Sequence, residues 1–234
     1  MTRTFTIRPF DDSCEVVLYK NPTFRFEPGV TVLVGCNRSG KTTLVRRMRD
    51  LLRNEGVPSI SLLKQNIEGM LSELEFRGDI GALTTQVSRG STSEGEFAKL
   101  AFAHLLPQVR HTIEKATDEA WVFLDGLDSS LSEDQLDQVR DLADAIVESA
   151  PPGIETYVVM TTNQFTLAKD RRCLRVTDGK EVRLDTFRAY RSCVLQSARH
   201  RERAREVTEH TWQRKYSKMG DSTERVESVP EDES

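Results

Sequence analysis

The sequence predicts an α/β fold in which helices cover a largely parallel sheet. Three observations carry this. Short apolar runs rich in β-branched residues alternate with segments of helical period. One strand-to-helix junction holds a glycine-bearing stretch, Gly35 to Thr42. A second strong strand, Trp121 to Leu124, runs into the carboxylate Asp125.

The elements follow in order. Val30 to Val34 is a compact apolar run, expected as a buried strand. The next helix sets Leu44, Met48, Leu51 and Leu52 on one face and stops at Gly56 and Pro58. Ile60 to Leu63 is a weaker strand. Phe97, Leu100, Ala101, His104 and Leu105 have helical spacing. After the strand at 121–124, Leu136, Val139, Ala143, Ile146 and Val147 share a helix face. Ser132 and Gln135 form a capping box at its start, and Pro151-Pro152-Gly153 closes it. Tyr157 to Thr161 is a third buried strand. Leu174 to Val176 and Val182 to Leu184 flank Asp178-Gly179, a hairpin signal. Strands separated by helices pair in parallel.

Composition bounds the rest. The chain has 234 residues, 33 basic and 37 acidic, a formal charge of −4 and 37% hydrophobic residues. That supports one domain with a real core and argues against wholesale disorder. No run approaches the roughly 18 consecutive apolar residues of a membrane-spanning helix. Residues Met1 to Arg8 lack the apolar core of a secretory signal. The four cysteines, Cys14, Cys36, Cys173 and Cys193, form no CxxC pair. They point away from a zinc site and toward a reduced, cytoplasmic setting. Arginines outnumber lysines 24 to 9, a hint of a GC-rich genome such as that of an actinobacterium or its phage.

Charge is uneven near the C-terminal end. From Arg199 to Lys218 seven Lys or Arg stand against three Glu, and from Asp221 to Ser234 six acidic residues stand against Arg225 alone. The expected organisation is a globular domain over 1–198, a basic helical extension over 199–218 and a disordered acidic tail over 219–234. Arginines interspersed with Trp212 and Tyr216 would suit phosphate contacts and base stacking. A solvated mixed-charge helix explains them more simply. The pI of about 5.7 is no nucleic-acid footprint for the whole chain.

Gly35-Cys36-Asn37-Arg38-Ser39-Gly40-Lys41-Thr42 fits G-x-x-x-x-G-K-[ST] between a strand and a helix, the context of a P-loop. Glycines let the backbone curl so that N–H groups point at phosphate oxygens, and the helix N-terminus adds partial positive charge. Gly35, Asn37, Ser39, Gly40, Lys41, Thr42 and Thr43 are the candidate nucleotide-binding residues. Lys41 would reach the β- and γ-phosphates, and the Thr42 hydroxyl would ligate Mg²⁺. Asp125, ending its strand, is the second candidate magnesium ligand. Ser93-Glu94-Gly95-Glu96 opens a helix and reads by itself as a capping box.

In this order the motifs resemble those of an ABC-type ATPase of the SMC-like and RecF-like branch. That family strings a P-loop, a Q-loop glutamine, an S-x-G-[QE] signature helix, an aspartate-ended strand and a D-loop. Here these are Gly35 to Thr43, Gln65, Ser93 to Glu96, Asp125 and Ser129-Ser130-Leu131-Ser132. The resemblance covers most of residues 1–190. It implies a P-loop NTPase head with N-terminal antiparallel strands and a short helical lid at about 66–92. It also implies that ATP and Mg²⁺ are bound, with Gln65 touching the metal or the attacking water. Ser93, Gly95 and Glu96 would meet the γ-phosphate held by a second copy, so that ATP joins a homodimer and gates a DNA or effector-protein partner in a DNA-related, phage or defence process.

The chain also departs from that pattern. Arg38 and Glu94 stand where glycines are common. Gly126 follows Asp125, where the family has the glutamate that polarises water; Asp128, further along the loop, is the candidate replacement. The switch histidine is absent and Thr161-Thr162-Asn163 occupies its place, leaving Thr162 or Asn163 to hydrogen-bond a γ-phosphate. Slow hydrolysis by an ATP-gated switch is therefore the alternative to an active ATPase. Only 27 residues separate Gln65 from Ser93, which leaves no room for a long coiled-coil arm. A transporter's nucleotide-binding subunit is the third reading. There Tyr19, Phe24 or Phe26 would stack on adenine, although each is equally explained as core.

Overall fold

The computed structural model describes residues 2–9, 17–63, 106–128 and 132–223, with the backbone alone for 134 and 209–223. The elements that matter here are β1 (Arg3–Thr6), β2 (Thr23–Phe26), β3 (Gly29–Val34), α1 (Lys41–Asn54), β4 (Ser59–Leu63), β5 (Glu119–Asp125), α2 (Glu133–Glu148), β6 (Glu155–Thr162), α3 (Phe165–Ala168), β7 (Cys173–Arg175), β8 (Lys180–Val182) and α4 (Phe187–Thr223), and residues 106–114 are also helical. The main sheet has the order β4-β5-β6-β3-β7-β8. All its pairings are parallel except β7 with β8. The strands β1 and β2 form a separate antiparallel pair, as expected at the N-terminal end.

Both faces of the sheet are covered because its central strands are apolar on both sides. One face packs the aliphatic residues Val122, Leu124 and Val158 against Leu136, Val139, Ala143 and Ile146 of α2. The other packs Leu44, Val45, Met48 and Leu52 of α1, with Phe5 and Phe26 of the small sheet, against Trp121, Phe123 and Tyr157. Trp121 lies flat on Tyr157, ring centroids 4.2 Å apart. Phe5 and Phe26 meet the same indole edge-on at 5.2 and 5.7 Å.

The helix ends follow the expected chemistry. The Gln135 side chain accepts a hydrogen bond from the Ser132 N–H at 2.7 Å, so the capping box is formed. The hairpin across Asp178-Gly179 is also formed, but its second strand is Lys180–Val182, two residues earlier than the apolar pattern suggested. The tight turn forces pairing to start directly after Gly179, whatever the later side chains prefer. Helix α4 continues past Ala198 to Thr223, so residues 219–223 extend the helix. Tyr19, Phe24 and Phe26 are at most 1% exposed. They are core, and an adenine platform built from them is ruled out for this conformation.

Parallel register brings three strand ends to one edge. Leu33 of β3 lies beside Thr161 of β6, and Leu124 of β5 beside Met160. The turn after β3 therefore faces Asp125 and Thr161 to Asn163. Ligands of open parallel sheets bind at such carboxyl ends.

Candidate functional site: a cleft at the strand ends

The 35–40 turn curls as its sequence requires. Gly40 caps α1 with φ 95°, a left-handed backbone, and a Cβ there would lie 3.0 Å from the Tyr19 ring. The Tyr19 hydroxyl donates to the Gly40 carbonyl at 2.8 Å and holds the turn from behind. Arg38 also has positive φ, 60°. Arg38 thus stands at a position where the backbone itself favours glycine. Helix α1 has no acidic residue in its first turn, so its positive end is left for an anion.

Lys41 is the centre of the site. Its ammonium donates to the carbonyls of Gly35 at 2.9 Å and Cys36 at 3.0 Å, and to Asn163 Oδ1 at 2.9 Å. Burial lowers its pKa below the ordinary lysine value, partly offset by the neighbouring acidic groups, Asp128 and Asp125 among them. A desolvated cation whose partners are mostly neutral oxygens is poised for a phosphate. Ser39 Oγ lies against Gly35. It is buried in the turn and has no hydrogen-bond partner among the described residues.

The Thr42 hydroxyl donates to Asp125 Oδ1 at 3.2 Å, and the Thr161 hydroxyl donates to the same oxygen at 2.5 Å. Neighbouring oxygens of an octahedral magnesium shell lie about 3 Å apart, given Mg–O distances near 2.1 Å. The Thr42–Asp125 pair therefore fits two sites of such a shell. No cluster of three or more His, Cys, Asp or Glu able to hold a metal occurs among the described residues. A metal here would depend on phosphate and water for its other ligands, which is the habit of Mg²⁺.

A cleft of roughly 680 Å³ opens over this group. Asn37 to Thr43 line it with Asp125, Gly126, Thr161 and Asn163, and Leu18, Arg201, Glu202 and Arg205 close the far side. The structure thus brings together the predicted Asn37, Ser39, Gly40, Lys41, Thr42, Thr43, Asp125 and Asn163, while Gly35 contributes its carbonyl to Lys41 from just outside.

Two expected residues sit elsewhere. Asp128 is 3% exposed and does not line the cleft. Its Oδ2 accepts hydrogen bonds from the Thr162 hydroxyl at 2.9 Å and from the Asn163 backbone N–H. Thr162 is correspondingly turned away from the cleft, because β-strand side chains alternate: Thr161 and Asn163 face it and Thr162 does not. Gln65, Ser93, Gly95, Glu96, the lid at 66–92, the helical spacing at 97–105 and Ser129 to Leu131 lie outside the described residues. So do the side chains of Trp212 and Tyr216 and the tail from 224 onward. Sequence reasoning missed Thr161 as a ligand of Asp125. Strand alternation from Asn163 was the signal for it. It also missed the three α4 residues, for which no local signal exists.

A parallel sheet with a P-loop on a central strand, and an aspartate at the end of a strand beyond its neighbour, defines a P-loop NTPase domain. The family comparison agrees. The AAA-domain family model matches residues 24–165, more than half of the chain, and the chain belongs to that family of nucleotide-binding domains. No curated protein matches it. Among solved structures it is similar to the crystal structure of Stu0660 of Streptococcus thermophilus, at 11% identity and a TM-score of 0.42, over 79% of this chain and 76% of that one. No helix among the described residues is long and apolar enough to cross a membrane.

Proposed function

We propose that the protein binds a magnesium–ATP complex in the cleft over Lys41 and hydrolyses it slowly, acting as an ATP-gated switch. The observation that carries this reading is the Lys41–Thr42–Asp125 group, with the Ser39 hydroxyl unpartnered beside it. Lys41 and the 35–40 turn would hold the phosphates. Thr42 and Asp125 would hold Mg²⁺, whose chemistry is to neutralise charge on the phosphates. Asn163, bonded to Lys41, would orient the ammonium or the terminal phosphate.

Slow turnover is supported by what faces the cleft. Gly126 offers no side chain to activate water. Asp128 is committed to Thr162 and Asn163, which favours a bracing role over a proton-accepting one. The ordered motif set further supports membership of the SMC-like and RecF-like branch, an ATP-dependent homodimer through Ser93 and Gly95, and a gated DNA or effector partner in a phage or defence setting. A transporter subunit is the alternative in which the partner is a membrane protein.

The test is ATP binding and turnover by the purified chain with Mg²⁺, with and without DNA, while its mass in solution is recorded. Binding with dimer formation and turnover near the Lys41→Ala background supports the switch. Fast turnover returns the protein to the active ATPases. Absence of nucleotide binding removes the reading altogether.

A further inference from the structure

The α4 side of the cleft is not accounted for by the P-loop reading. Helix α4 is packed down where it passes the site: Ser197 is fully buried and Ala204 is nearly so. Between these two residues Arg201 Nη1 donates to the carbonyl of Asn37 at 2.8 Å. Lys41 binds the carbonyls of Gly35 and Cys36. The guanidinium and the ammonium therefore hold three consecutive carbonyls of one turn. Arg205, one helical turn beyond Arg201, and Glu202 line the same cleft.

Charge bears on what this arrangement suits. The cleft is lined by Arg38, Lys41, Arg201 and Arg205 against Asp125 and Glu202, a net of two positive charges; without α4 it would hold two cations and one carboxylate. A magnesium–triphosphate keeps about two negative charges after the metal neutralises part of its load. A magnesium–diphosphate keeps about one.

We propose that helix α4 completes the nucleotide site in cis, with Arg201 as a binding residue for the terminal phosphate of a nucleoside triphosphate. The inference rests on the nucleotide-binding reading above and adds to it a means of telling ATP from ADP within one chain. Arg201 exchanges a neutral carbonyl for a charged phosphate oxygen, which a guanidinium can bind with two parallel N–H bonds. It adjoins the part of the turn that holds the Lys41 ammonium, so it meets the terminal phosphate rather than the α-phosphate. The resemblance-based expectation has a second copy close the site through Ser93 and Gly95. Here the first cation to close it comes from the same chain.

The experiment is calorimetric titration of the full chain with MgATP and with MgADP, for wild type, Arg201→Ala, Arg201→Lys and Lys41→Ala. Arg201 is only partly buried at the surface of α4, so its variants are expected to melt like wild type. Arg201→Ala should weaken MgATP about tenfold and MgADP less than about threefold, the difference of one charge-assisted contact. Arg201→Lys, which keeps the charge and loses the fork, should fall between. Wild-type affinity for both nucleotides in Arg201→Ala overturns the proposal. An equal loss for both also overturns it, because a mere strut for the turn would not discriminate. If Arg201→Ala does not fold, the ATP-to-ADP ratio of Arg201→Lys decides in its place, and an unchanged ratio rejects the proposal. If wild type binds neither nucleotide, the underlying reading fails, and this inference with it.

Discussion

The two walls of the cleft differ in how the chain builds them. One wall is seven consecutive residues, Asn37 to Thr43, whose conformation is dictated locally by a left-handed Gly40 and a helix start. The other is a patch of α4, with Arg201 bonded to Asn37 across 164 positions of sequence. The first wall needs particular residue types at fixed spacing and so leaves a motif. The second needs only a cation at the right turn of a long helix, and any basic helix supplies that pattern. Local backbone demands are written in sequence; tertiary placement is not.

The largest expected effect breaks the first wall. Lys41→Ala removes the ammonium that binds two carbonyls of the turn and Asn163 Oδ1, and should weaken both MgATP and MgADP by about a hundredfold or more, roughly 3 kcal/mol. Titration calorimetry checks it, and a loss no greater than that of Arg201→Ala would erase the distinction between the walls. The affinity of wild type should also decline on raising the pH before the ordinary lysine range is reached. Burial has lowered the Lys41 pKa, so the free protein loses that proton, and its hold on phosphate, earlier than an exposed lysine would.

Next comes the metal. Asp125→Asn keeps the hydrogen bonds from Thr42 and Thr161 but removes the charge. Nucleotide affinity should drop about tenfold in the presence of Mg²⁺ and little in EDTA, so that the variant becomes nearly indifferent to the metal. A variant that keeps the full magnesium response would free Asp125 of the ligand role.

Asp128 sharpens the comparison, because it lies three residues from Asp125 and has the opposite environment. Asp128→Ala leaves the Thr162 hydroxyl and the Asn163 N–H without their buried acceptor, a cost of about 1–3 kcal/mol. Urea denaturation should show it. Asp128→Asn retains one acceptor oxygen and should keep any ATP turnover within about threefold. A hundredfold fall in that variant, with its fold intact, would reinstate Asp128 as the group that accepts a proton from water.

Legibility followed the same division. The parallel sheet, the capping box at Ser132 and the turn at 35–42 were readable because each rests on neighbouring residues. The place of Asp125 beside that turn was readable only in company, since an apolar strand ending in a carboxylate means little until a P-loop accompanies it. The orientation of Asp128 was not readable, since residue type and loop position say nothing of which way a side chain turns; its partners, Thr162 and Asn163, lie more than thirty positions away. Tyr19 was ambiguous for a related reason. An aromatic before a P-loop can stack on a base or brace the turn, and only its bond to the Gly40 carbonyl selects the second role.

The smallest effects concern backbone strain at two turns that line the cleft. Gly126 has φ 71° and open space around the place where a Cβ would stand. Gly126→Ala meets no neighbour, so its cost is conformational alone, about 1 kcal/mol for an L-residue held left-handed. Arg38 has φ 60° and already bears a similar strain. Arg38→Gly relieves it but loosens the unfolded chain, and the two changes oppose each other to leave stability within about 0.5 kcal/mol. The pair of substitutions therefore has unequal outcomes by construction: one destabilises, the other is nearly silent. Thermal melts of both should differ by a few degrees, at about 2–4 °C per kcal/mol for a chain of this size. Equal melts would mean that the turn after β5 readjusts freely on substitution. In that case Gly126→Glu becomes a fair test of whether a carboxylate restored after Asp125 raises turnover, since strain would no longer stand between the side chain and the cleft.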